Sequence, residues 1–150
     1  KVAQKIFDRF TKLFLDEKIT PEKLVNLNEE TLRQVGMSYA KARTLRDLGQ
    51  KIIDGSVELH RFDELADDQV IEELVKVKGI GPWTAEMFLM FSLGRPDVFS
   101  GGDYGLRKGL QKLYNLEQMP TAKEAVEMAR KWSPYRTIAS LLIWKSLDTK

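Results

Sequence analysis

Apolar residues recur at helical spacing from the first positions of the chain: Val2, Ile6, Phe7, Phe10, Leu13 and Phe14 form one stripe, which predicts a helix over about 1–16. Thr20-Pro21 offers an N-cap and a proline suited to a first helical position, so a short helix is expected at 21–26. Another follows at 29–34 and is ended by Gly36. Ser38 caps a longer helix at 39–54, with Leu45, Leu48, Ile52 and Ile53 on its apolar face. Residues 55–66 read as a loop holding one helical turn. Further helices are expected at 67–76, 82–93, 104–115, 121–132 and 134–148, with Thr121 and Ser133 as caps and Pro82 and Pro134 in first turns. No β-branched run is long enough to read as a strand, so the pattern predicts an all-α chain. The first stripe is already under way at residue 1, which is Lys rather than Met, and it predicts polypeptide before it.

A length of 150 residues suits one domain over 1–150, or two small helical lobes sharing a core. The apolar fraction of 43% and the charged fraction of 31% are those of a globular protein. No apolar run approaches the roughly 20 residues that cross a bilayer, so no membrane partner is expected. Cysteine is absent, which excludes disulfides, thiolate zinc sites and cysteine-held iron–sulfur clusters and fits a reducing compartment. His60 is the only histidine, which excludes a multi-histidine metal site. The net charge of +2 is unevenly spread: +3 over 1–50, −5 over 51–100 and +4 over 101–150. Such asymmetry fits a face turned to a polyanion, and equally fits solvated helix faces. The acidic cluster around Asp67 and Asp68 suits a helix start rather than a cation loop.

The stretch Leu74-Val75-Lys76-Val77-Lys78-Gly79-Ile80-Gly81-Pro82-Trp83-Thr84-Ala85 ends one helix, turns the chain on two glycines and starts the next helix. Glycine permits positive φ and close backbone approach, and the unpaired N–H groups of the second helix suit an anion. On the residues alone this is either a phosphate clamp or a plain helical corner. After that helix, Val98-Phe99-Ser100-Gly101-Gly102-Asp103-Tyr104-Gly105-Leu106-Arg107-Lys108-Gly109 brings an aspartate to the end of a glycine loop and the start of another helix. Asp103 is therefore a helix cap, a functional carboxylate, or both.

Together these runs resemble the helix-hairpin-helix (HhH-GPD) DNA glycosylase superfamily, in particular its 3-methyladenine DNA glycosylase II branch. The segments Leu32-Arg33-Gln34-Val35-Gly36-Met37-Ser38-Tyr39-Ala40-Lys41-Ala42 and Trp132-Ser133-Pro134-Tyr135-Arg136-Thr137-Ile138-Ala139, through Trp144, share the resemblance, which extends over most of 1–147. It implies an all-α helix-hairpin-helix glycosylase fold lacking its N-terminal portion, with the hairpin at about 74–88 and the catalytic loop at about 97–103. It implies double-stranded DNA with a damaged base as partner and Asp103 as the catalytic carboxylate, a negative charge beside a sugar that gains oxocarbenium character. The loop departs from the family in carrying Ser100 where a proline is frequent.

The resemblance further implies that Lys78, Gly79, Ile80, Gly81 and Thr84 meet the DNA backbone, with Lys41 and Arg107, and also Lys108 and Arg136, near phosphates. Trp83, Met87, Trp144 and Tyr104 are expected to line the base pocket, with Tyr135 a weaker candidate; an electron-poor alkylated purine stacks well on aromatic faces. The carbonyls of Val75, Val77 and Ile80 are implied as holders of a structural monovalent cation, and no other cofactor is expected. Members that also cut the strand carry a lysine on the second hairpin helix. Aligned on Gly79-Ile80-Gly81, that position holds Trp83, which has no amine to form a Schiff base. The expectation is thus a monofunctional hydrolase of alkylated purines. Alternatives are a non-catalytic DNA-binding module, a helical protein-interaction bundle, or removal of uracil or mismatched thymine. Nothing in the sequence calls for more than a monomer.

Overall fold

The computed structural model describes residues 2–15 and 18–148, so the ends of the expected first helix at 1 and 16 lie outside it, as do residues 149–150 of the expected domain. Among the described residues all regular structure is helical. Local capping explains most of the starts. Thr20 Oγ1 accepts the N–H of Lys23 at α2 (Pro21–Asn26), and Asn28 Oδ1 accepts that of Glu30 at α3 (Glu29–Gln34). Ser38 does the same at α4 (Tyr39–Ile53), and Thr121 and Glu124 form a reciprocal capping box at α8 (Ala122–Ala129). The remaining helices are α1 (Val2–Lys12), α5 (Asp67–Leu74), α6 (Pro82–Phe91), α7 (Tyr104–Leu113) and α9 (Arg136–Asp148), with short 3-10 turns at Leu59–Arg61 and Arg130–Trp132.

The chain divides into two compact units, Lys1–Gly81 and Pro82–Lys150. In the first, Phe10, Phe14, Leu24, Leu32, Val35 and Ala42 form a core cluster, with Phe10 and Phe14 edge-to-face at 5.2 Å. Burying a side chain such as Leu32 fully stabilises the unit by about 1.5–3 kcal/mol. Helix α2 lies so close to α4 that a Cβ at Gly49 would stand 2.9 Å from the Pro21 carbonyl oxygen. At the far end of this unit, Leu74 and Val77 are buried and anchor the hairpin.

In the second unit, Phe99, Leu106, Leu110, Ala125, Ala129 and Ile143 form the core, and Gly109 lets α7 lie against Ile143 of α9. The segment before Val98 is stitched to the start of α9. Thr137 donates through Oγ1 to the Arg95 carbonyl at 2.7 Å and through its N–H to that of Pro96 at 2.9 Å, and its Oγ1 accepts the Val98 N–H at 3.0 Å. Arg136 pairs with Asp97 through two bonds of 2.7 and 2.9 Å, and its own N–H adds a third at 3.1 Å. The Ser133 hydroxyl donates to Asp97 at 2.7 Å instead of capping the last helix, which begins at Arg136 rather than in the turn of Pro134. Held by these donors, Arg136 foremost, the Asp97 carboxyl lies well below the ordinary carboxylate range.

Candidate active site

The hairpin is built within the first unit. Gly79 has φ +90°, which only glycine takes at low cost, and the Ile80 N–H bonds the Val77 carbonyl at 3.1 Å to close the turn. The turn is fixed to α4: the Lys78 N–H donates to Asp47 Oδ2 at 2.8 Å, and Gly79 packs on the Thr44 hydroxyl. Lys78, Gly79 and Lys41 are exposed, and Ile80 and Gly81 are partly so. Of the carbonyls implied for a cation, that of Val77 already accepts one hydrogen bond. Among the described residues no cluster of three or more acidic, histidine or cysteine side chains could hold a metal ion.

In the second unit, Asp103 is the N-cap of α7, its Oδ1 accepting the Leu106 N–H at 2.7 Å. Two indoles converge on the same carboxylate. Trp83 Nε1 donates to Oδ2 at 2.7 Å and Trp144 Nε1 to Oδ1 at 2.9 Å. Gly105 makes this possible, since a Cβ there would lie 3.1 Å from both Asp103 Oδ1 and the Trp144 ring. Each oxygen of the carboxylate is thus aimed by at least one fixed donor, and the residue is partly exposed. Such charge-assisted bonds are each worth about 1.5–3 kcal/mol when well sheltered.

Of the expected pocket residues, Trp83 and Trp144 therefore meet at Asp103, the first half exposed and the second partly buried. Met87 is partly buried one turn after Trp83, and Tyr104 is exposed beside Asp103. Thr84 is exposed at the start of α6. Tyr135 lies elsewhere, in a groove of about 540 Å³ with Leu113, Trp132, Ile138 and Leu142. Two of the expected phosphate ligands are engaged within the unit: Arg107 donates to the Pro120 carbonyl at 2.6 Å, and Arg136 holds Asp97.

Two residues escaped the sequence reading. Phe91, exposed at the end of α6, stacks on Trp144 with centroids 6.2 Å apart and planes at 26°. Glu86 accepts a hydrogen bond of 2.5 Å from the buried Ser100 hydroxyl. Its burial pushes its pKa up, the Ser100 bond opposes this, and the Asp103 charge adds to the rise. The available signal was Glu86 itself, the lone charged residue on the mostly apolar α6.

Comparison with known proteins brings these features together. A DNA-3-methyladenine glycosylase 1 of Schizosaccharomyces pombe is 33% identical over 148 residues, covering 97% of this chain and 65% of its own length. The structure of the S. pombe 3-methyladenine DNA glycosylase Mag1 in complex with abasic DNA superposes with a TM-score of 0.82 at 33% identity, covering 95% of this chain and 70% of that one. A DNA-3-methyladenine glycosidase from Bacillus halodurans gives the same TM-score at 38% identity, covering 98% and 68%. The chain spans 53–65% of the length of the first curated relatives it matches. The family model for the HhH-GPD superfamily base excision DNA repair protein matches residues 1–134. This chain belongs to the HhH-GPD superfamily of base excision DNA repair proteins.

Proposed function

We propose that this chain carries the hairpin and the reaction centre of a monofunctional DNA glycosylase that hydrolyses the N-glycosidic bond of alkylated purines of the 3-methyladenine type. The observation that carries the reading is the Asp103 carboxylate, held at a helix start by two indole N–H groups whose rings are also the natural faces for a flipped base. In this reading Lys78 through its ammonium group, Gly79 and Gly81 through their backbone N–H groups and Thr84 through its hydroxyl meet phosphates of duplex DNA, independent of sequence, the N–H groups of Lys78 and Ile80 being bonded within the fold. Lys41 and Arg107 add charge. Flipping the base costs a few kcal/mol, least for a weakly paired one.

An alkylated purine carries positive charge and is drawn to the π-faces of Trp83, Trp144 and Tyr104, with Met87 completing the wall. As the bond from C1′ to the base nitrogen breaks, its electron pair leaves with the base, which departs neutral. Positive charge moves to the sugar, where Asp103 stabilises it. Water then adds its oxygen to C1′ and passes its proton to the Asp103 carboxylate, which returns it to solvent. Trp83 offers no amine, so no Schiff base forms and the strand stays intact. A monovalent cation held by the carbonyls of Val75, Val77 and Ile80 would supply positive charge at the hairpin; three neutral oxygens suit such an ion. The protein acts as a monomer in this reading.

The test is base release from methylated duplex DNA by the wild type and by Asp103→Asn, with nicks scored before and after alkali. Release by the wild type alone, with nicks only after alkali, is expected, and the variant should be slower by at least 100-fold. Salt-sensitive DNA binding without release would instead make the chain a binding module.

A further inference from the structure

The loop that delivers Asp103 is gripped from behind. Ser100 is fully buried, its hydroxyl bonds Glu86, and its carbonyl accepts the N–H of Asp103 at 3.1 Å. The next residue, Gly101, packs closely on α8, where a Cβ would stand 2.6 Å from Val126 Cγ2 and 2.7 Å from the Ala122 carbonyl oxygen. The side-chain anchor of this turn is thus Ser100, and its partner is Glu86. Glu86 and Trp83 share α6 at i, i+3, so one helix supplies both the donor to Asp103 and the acceptor for the turn that carries it.

Glu86 is a costly residue for mere packing. The influences acting on its carboxyl are its own desolvation, the Ser100 hydroxyl and the negative charge of Asp103, and two of the three oppose its ionised form. The ionised carboxyl is thus less favoured here than in water, so apolar packing alone gives no reason for it. A role in positioning accounts for it.

We propose that Glu86 is a positioning residue: by holding the Ser100 hydroxyl it fixes the turn that sets Asp103 against the sugar. The proposal rests on the reading of Asp103 as the catalytic carboxylate.

Single-turnover base release from methylated duplex DNA tests it in the full-length protein, with Kd for the same DNA, the thermal midpoint and hydrogen exchange at the Asp103 amide measured alongside. Glu86→Leu should lower the rate about 10- to 100-fold, the loss of one hydrogen bond to a charged group. Kd should stay within about twofold, while the midpoint should fall by a few degrees, because the buried Ser100 hydroxyl loses its acceptor. Glu86→Gln keeps an oxygen for Ser100 and should hold the rate within about threefold. Ser100→Ala should match Glu86→Leu, and the double variant should be no slower than either, since both remove one interaction. The Asp103 amide should exchange faster in Glu86→Leu and Ser100→Ala than in the wild type or Glu86→Gln. A wild-type rate in Glu86→Leu, losses that multiply in the double variant, or a Glu86→Gln as slow as Glu86→Leu overturns the proposal. Exchange needs no turnover: if the wild type releases no base, the reading of Asp103 fails, and unchanged exchange in Glu86→Leu separately refutes the grip on the loop.

Discussion

Replacing Gly79 by alanine tests whether the hairpin is held by its contact with α4 or by its backbone conformation alone. Two costs add. A non-glycine residue at φ +90° carries about 1–2 kcal/mol of steric penalty. The new methyl would also overlap Thr44 Oγ1, which is fixed by a 3.0 Å bond to the Ala40 carbonyl, while Thr44 Cβ and Cγ2 stand at 3.4 and 3.6 Å. Turning the threonine away forfeits that bond, about 0.5–1.5 kcal/mol, and forcing the methyl in costs about 1–3 kcal/mol. Gly79→Ala should thus destabilise by roughly 2–5 kcal/mol. In a Thr44→Ala background only Cβ remains, at an ordinary contact distance, and the same substitution should cost about 1–2 kcal/mol. Urea unfolding followed by far-ultraviolet circular dichroism, on the wild type, both single variants and the double, gives the coupling. A coupling of about 1–3 kcal/mol is expected. Equal costs in both backgrounds, within about 0.5 kcal/mol, would refute the steric account and leave backbone strain as the whole effect.

Other consequences follow from the second unit. On the proposed reading, Trp83→Phe keeps a ring for the base but removes the donor to Asp103 Oδ2; because the indole is half exposed, single-turnover release should fall only about 10-fold, with little change in DNA affinity. Asp97→Asn should lower the thermal midpoint by several degrees at neutral pH, through loss of the paired bonds to Arg136. The Asp97 carboxyl is held below its unfolded value of 3.8, so its stabilisation is present above that value and is lost as pH falls through the folded one. The gap between wild type and variant should therefore be full at neutral pH and shrink only below pH 3.8, as thermal scans across the acid range would show.

Features that depend only on near neighbours along the chain were legible in the sequence. Thr20, Ser38, Asp103 and Thr121 each cap the helix they precede, because a cap needs only the backbone two or three residues ahead. Ser133 has the same chemistry, yet its hydroxyl goes to Asp97, 36 residues away, a competitor that no local rule sees. Helices α5 to α8 end two or three residues earlier than the apolar pattern implies, since the pattern continues through the turns that bury Val77 and seat Trp132. At the site, the resemblance pointed to Trp83, Asp103 and Trp144, and their meeting through two indole N–H bonds is a fact of three dimensions. Phe91 gave no sign for the same reason, since its partner Trp144 lies 53 residues on, and the lone charge of Glu86 on α6 was legible while its partner Ser100 was not.

The convergence of indoles on Asp103 also makes the molecule its own optical probe. Two of its three tryptophans donate to one carboxylate, and the third, Trp132, packs on Phe99. A carboxylate beside an indole N–H shifts that indole's emission, and a stacked purine quenches it. On the proposed reading, entry of a base between these rings, and its departure, would therefore be written in the intrinsic fluorescence of the chain, with no label attached and no residue replaced.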